Sequence, residues 1–288
     1  MSRALLVLAV LVVVALTGCQ GVDLTGLNVG GIPVGGFVQT TSLLAASSVE
    51  MEEPEEIELG RATTALIGSR YRLLRDEALT RYVALVGNAV ALRSERPDMR
   101  YYFGVLDSDD VNALAAAGGY VFVTRGALAL MRDEATLAGV LGHEVGHIAL
   151  RHHDETIKAS KRKAALVTGV QTGASFTRVG QFNQLIGLGA DALGELALKG
   201  FSQKEEGASD VVGFRYAAAA GYDPAGLRDF LRMLQARGSQ PAIAQFVSTH
   251  PGVEDRLREQ EKLLAQAPAG GRRNVARFEQ ATARIPKR

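Results

Sequence analysis

The chain has 288 residues, 47% of them hydrophobic and 22% charged, with a formal net charge of +1. It is therefore too apolar for a disordered polymer and long enough for one substantial domain or two small ones. The near-neutral balance, the absence of Trp and an aromatic content of 6% give no basis for a nucleic-acid partner. A single cysteine rules out an intramolecular disulfide.

Arg3 precedes an apolar run at residues 4–16. That is shorter than the roughly 20 residues a membrane-spanning helix needs, but it suits the core of a secretory signal. The run ends in Leu16-Thr17-Gly18-Cys19, which resembles a lipobox. The expectation is a signal peptide at 1–18, lipid on Cys19 and a flexible tether at 19–49. Such a tether reaches about 30 Å by the square-root scaling of a Gly-rich coil. Gln20, where an Asp would resemble an inner-membrane retention signal, points to the periplasmic face of the outer membrane. The membrane is thus an expected partner through the anchor, at the level of acyl insertion only.

Acidic residues crowd positions 50–58, which suits a solvated helix start. Apolar spacing predicts helices over 57–74 and 77–93, the latter carrying Leu79, Val83, Val86 and Val90 on one face. Pro97 breaks the pattern, and two short aromatic, β-branched runs at 101–106 and 120–124 read as strands. A helical turn lies between Gly126 and Asp133, and Asp133 caps a helix predicted over 134–151. A basic Ala-rich stretch at 158–167 and a Gly-punctuated one at 169–200 follow, the latter too polar at Arg178, Gln181 and Asn183 for a membrane span. Helices are predicted over 203–220, 224–236 and 253–264, and the Arg-rich residues 266–288 read as a basic, frayed tail. The expected architecture is mainly α with a small β-sheet, with a metallopeptidase domain over residues 50–265.

His143-Glu144-Val145-Gly146-His147 is the HExxH pattern. Positions i and i+4 of a helix lie one above the other, so both imidazoles reach one ion, while Glu144 faces the same site without ligating it. Leu137, Val140, Leu141, Val145 and Ile148 make this a buried, central helix, where titratable groups need a reason to be present. Zinc at a catalytic site takes three protein ligands and keeps one position open. His152 and His153, five and six residues past His147, fall off the ligand face of a straight helix and read as helix-end residues. The better third ligand is Glu206, with Asp210 one turn on to accept a hydrogen bond from a ligand imidazole. Glu205 would leave Ser209, not an acid, in that supporting position.

These motifs together resemble the HtpX/CAAX-prenyl-protease family of zinc metallopeptidases, in its soluble periplasmic BepA-like branch. The resemblance runs from about Glu50 to Leu264, through Asn112-Ala113, Gly118-Gly119, the HExxH helix with Arg151-His152, and the 202–210 segment. Ala220-Gly221-Tyr222-Asp223-Pro224 and Ser248-Thr249-His250-Pro251 with Arg256 complete it. Departures at Gln203, Ala208-Ser209 and Ala117 spare every expected ligand. The resemblance implies one Zn²⁺ per chain on His143, His147 and Glu206, with Glu144 and Asp210 as catalytic partners. It also implies His250 beside the metal, as a displaceable fourth ligand or an oxyanion stabiliser, aided by Arg256. The strand around Gly119, Tyr120, Val121, Phe122 and Val123 is expected to be an edge beside which extended substrate pairs. The implied activity is endopeptidase cleavage of unfolded or misassembled envelope proteins. The competing expectation is a non-catalytic, zinc-containing chaperone or assembly factor.

Overall fold

The computed structural model describes residues 28–29, 32–33, 51–158, 200–238, 240–267 and 270–285. The expected signal peptide, Cys19 and most of the expected tether lie outside the described residues. Within 19–49, β1 (Asn28–Val29) and β2 (Ile32–Pro33) form a two-residue antiparallel pair in a separate unit of the chain.

The larger unit is mainly helical with a small mixed sheet. It opens with α1 (Glu53–Arg70) and α2 (Glu77–Ala91). Three strands follow: β3 (Tyr102–Leu106), β4 (Ala113–Ala116) and β5 (Tyr120–Thr124). The order is β3-β5-β4, with β3 parallel and β4 antiparallel to β5. β5 is thus hydrogen-bonded on both sides, and the expectation that it is an edge is wrong. Among the described residues, the sheet edge beside it belongs to β4, an Ala-Leu-Ala-Ala run without a strand signature of its own. Gly118 (φ 69°) and Gly119 (φ 93°) turn the chain from β4 into β5 in a conformation that side chains resist. A Cβ on Gly119 would lie 2.2 Å from the Arg100 carbonyl oxygen.

After the short α3 (Arg125–Leu130) comes α4 (Glu134–Ala149), every residue of which is buried. Asp133 caps it as expected, accepting from the Thr136 N–H at 2.8 Å. α5 (Gln203–Ala219) crosses α4, then α6 (Gly226–Arg237), α7 (Pro241–Thr249) and α8 (Val253–Gln266) close the core. Ser202 starts α5 with a capping box in which Glu205 returns to the Ser202 N–H at 2.8 Å. α4 and α5 meet backbone to backbone: a Cβ on Gly213 would lie 2.7 Å from the His143 nitrogen, and one on Gly142 2.9 Å from the Gly213 oxygen. Among the described residues, no helix is long and apolar enough to cross a membrane.

The C-terminal residues depart from the frayed tail expected of them. Residues 272–285 fold back as a strap containing α9 (Val275–Ala281), with Phe278 and Ile285 in the core. Arg273 reaches Asp133 at 2.7 Å, Asp223 at 2.8 Å and Asp229 at 2.5 Å. The buried Glu134 carboxylate accepts from Tyr82 at 2.8 Å, Asn274 at 2.9 Å and Arg277. Arg273 and Arg277 are therefore engaged at the first turn of the HExxH helix. Phe278→Ala should remove about 3–5 kcal/mol of packing and lower the thermal midpoint by roughly 10 °C in a domain this size. A scanning-calorimetry midpoint within 2 °C or so of wild type would restore the frayed-tail reading.

Candidate metal centre

His143, His147, Glu206 and His250 each offer a ligand atom to one buried cluster in which these atoms lie within 4.8 Å of one another. The two HExxH imidazoles present Nε2 atoms 3.0 Å apart. Glu206 places one oxygen 3.4 Å from His143 Nε2 and the other 3.3 Å from His147 Nε2. His250 Nδ1 is 3.4 Å from His143 Nε2 and 3.1 Å from Glu206 Oε2. Four donors around zinc at 2.0–2.1 Å stand roughly 3.3 Å apart along the edges of a tetrahedron. The observed spacings match those edges, so the residues fit a single Zn²⁺ per chain. As a set, two or three imidazoles with a carboxylate are also the donors zinc prefers.

Each remaining face of these ligands is held. Asp210 Oδ1 accepts from His143 Nδ1 at 2.8 Å, one helical turn after Glu206 as the spacing predicts. Arg256 donates to both Asp210 oxygens at 2.8 Å and lies 2.7 Å from Glu206 in an ion contact. Phe201 stacks on the His147 ring at 4.0 Å, and Phe246 on the His250 ring at 4.5 Å. His250 ends α7 rather than opening the next helix: its N–H donates to the Phe246 carbonyl at 2.7 Å. Glu205 faces away from the cluster, occupied by the capping box.

Glu144 is the exception to this satisfaction. It is fully buried, yet among the described residues neither carboxylate oxygen has a hydrogen-bond partner. His250 Nε2, at 3.7 Å, is the nearest imidazole contact. Burial pushes the Glu144 pKa up, only partly offset by His250 and His143. A recess lined by Leu114, Ala115, Glu144, Gly200, Phe201, Thr249 and His250 lies over it.

Gly119, Tyr120, Val121, Phe122 and Val123, expected to meet substrate, are the 3₁₀ turn's end and the central strand, removed from the open edge of the sheet. β4 takes that place. Thr124 N–H donates to the Asn112 carbonyl, so residues 112, 114 and 116 face β5 and residues 113 and 115 face outward. Both outward carbonyls are occupied: Ala113 O by His250 Nε2 at 3.2 Å and Ala115 O by His153 Nε2 at 3.0 Å. Nothing in Ala113–Ala116 announces this role; only its place just before Gly118-Gly119 hinted at the turn.

Residues 77–264 match the model of peptidase family M48. The chain belongs to that family. This M48 chain is 30% identical to the metalloprotease LoiP of Escherichia coli K12 across 89% of its own length and 94% of that relative. It is 25% identical to a beta-barrel assembly-enhancing protease of Yersinia pestis across 82% of its length. It is 31% identical to the mitochondrial metalloendopeptidase OMA1 of Schizosaccharomyces pombe across 65%. The chain spans about half the length of these last two relatives, 50% and 54%.

The electrostatics of this M48 site bear on how it takes up an ion. Burial alone would depress the His143 pKa, and Arg256 acts the same way, but the Glu206 and Asp210 carboxylates outweigh both and raise it to about 9. Burial likewise opposes the charged form of Asp210, which Arg256 and His143 hold down to about 2. Glu206 is kept far below the carboxylate range by His250, His143 and Arg256 against its own desolvation. Because the folded pKa of His143 exceeds its unfolded value of about 6.5, its proton stabilises the metal-free fold below that pH. The contribution fades as pH rises through about 9. Ligation requires that proton to leave. Zinc binding at pH 7.5 should therefore release about one proton, seen as a dependence of calorimetric binding heat on buffer ionisation enthalpy. Buffer-independent heats would refute a protonated His143.

Proposed function

We propose that this chain is a zinc-dependent metalloendopeptidase that cleaves extended, unfolded or misassembled segments of cell-envelope proteins. The observation that carries this reading is the unpartnered Glu144 carboxylate, buried beside a four-donor cluster of zinc spacing. A purely structural site has no use for a desolvated acid with free lone pairs, and such a group is costly to keep.

Zinc, when bound, supplies a Lewis acid that acidifies water and polarises a peptide carbonyl. Glu144, with its pKa raised by burial, is suited to accept a proton from water and to return it to the leaving amine. Asp210 holds the His143 Nδ1 proton, so that Nε2 keeps its lone pair for the ion. Arg256 balances the paired carboxylates of Glu206 and Asp210 and fixes their orientation. Substrate backbone would pair with the outward face of β4 at Ala113 and Ala115, and to do so it must displace His250 from Ala113 O and His153 from Ala115 O. That displacement moves His250 Nδ1 out of the donor cluster as well, which supports reading the present arrangement as latent. Selection by backbone rather than side chain accords with unfolded segments as substrates. Similarity to LoiP and to beta-barrel assembly-enhancing proteases supports a place in the envelope and a position in the BepA-like branch.

Purified protein loaded with zinc should cleave a reduced, unfolded protein, lose that activity to a chelator and regain it with added zinc. Glu144→Gln should lower kcat by about 10²–10⁴-fold while binding zinc as wild type does. If that variant fully complements a deletion strain, the chaperone reading replaces the protease. We further propose the lipid anchor on Cys19. Cells fed radiolabelled palmitate should label the wild-type chain and not Cys19→Ser, and label retained in the variant would remove the anchor.

A further inference from the structure

The two HExxH imidazoles are supported by different chemistry. His143 Nδ1 donates to the Asp210 carboxylate, whereas the polar atom on His147 Nδ1 is Nδ1 of another histidine, His152, at 2.9 Å. His152 is placed there by a backbone device. α4 ends at Ala149, Arg151 takes a left-handed conformation (φ 56°), and residues 152–158 resume a helix. A straight helix would have carried His152 well off the ligand face. A positive φ in Arg costs about 1–2 kcal/mol, and strain of this kind concentrates where placement matters.

We propose that His152 is the positioning residue of the second metal ligand, accepting the Nδ1 proton of His147 and so fixing the tautomer that leaves His147 Nε2 free for zinc. The inference rests on the metalloprotease reading only in that it needs the zinc site. His147 is completely buried, and its Nδ1–H requires an acceptor. His152 provides one only when its own proton sits on Nε2. Ser209, buried on α5, places its hydroxyl 3.3 Å from the same His152 Nδ1, a longer contact than the 2.9 Å to His147 Nδ1. His153 beside it is engaged with the Ala115 carbonyl, so the two adjacent histidines serve different partners.

The experiment compares full-length wild type, His152→Gln and His152→Phe by zinc competition against a chromophoric chelator. Histidine side-chain ¹⁵N NMR of the zinc-loaded wild type accompanies it. Phe keeps a planar aromatic ring, somewhat larger than imidazole, but offers no acceptor, so zinc affinity should fall about 10–100-fold. Gln restores an acceptor and should stay within a few-fold of wild type. The spectra should show His152 neutral with its proton on Nε2 and His147 with its proton on Nδ1. Equal affinity in the Phe variant, equal losses in Gln and Phe, or a His152 proton on Nδ1 would each overturn the proposal. The NMR result decides it even if His152→Phe does not fold. A wild type that binds no zinc would instead sink the metalloprotease reading itself.

Discussion

Everything at this centre depends on two helices touching without side chains between them. Gly142 and Gly213 let α4 and α5 approach until the backbone of one lies against that of the other. Only at that separation do Glu206 and Asp210, short acids on α5, meet the imidazoles of α4 at 2.8–3.4 Å. A methyl group on either glycine would collide with backbone, and backbone does not yield as a flexible side-chain tip does. The spacing of the donors is thus a property of helix packing before it is a property of the donors.

Charge is the second constraint. Glu206, Asp210 and Glu144 are all buried, and Arg256 is the cation that touches the first two. Without a metal the cluster balances itself by keeping a proton on His143, which links metal uptake to pH. The same economy recurs at the other end of α4, where the buried Glu134 and the cap residue Asp133 are met by Arg277 and Arg273 from the C-terminal strap. The catalytic helix is therefore fixed at its first turn by cations and at its centre by carboxylates.

What could be read from residues alone followed helical periodicity. HExxH, the Glu206/Asp210 pair and the Asp133 cap are all statements about positions three or four residues apart on one helix, and the structure places them as the spacing requires. What escaped was non-local or depended on a break in regularity. Ala113–Ala116 is composed of helix-favouring residues, and its extended form is imposed by pairing with β5. That β5 lies centrally is a matter of strand order, on which its aromatic, β-branched sequence is silent. Pro241–Thr249 escaped as a helix altogether, although Pro241 at its first turn and the apolar Ile243 and Phe246 were available signals. Arg273 and Arg277 looked solvated because their acidic partners sit 44 to 143 residues away. His152 was set aside by assuming one straight helix, and Arg151 breaks that assumption.

His250 grips two things at once: Nδ1 toward the donor cluster, Nε2 on the Ala113 carbonyl. A ring so pinned comes free in one motion, and what an incoming strand has to offer the β4 carbonyls in exchange is its own unpaired backbone N–H groups. A polypeptide whose own backbone groups are already paired in a sheet or helix has nothing with which to make that exchange. On the proposed function, a native bystander in a crowded envelope is spared because its backbone is already engaged, without any sequence having to be read.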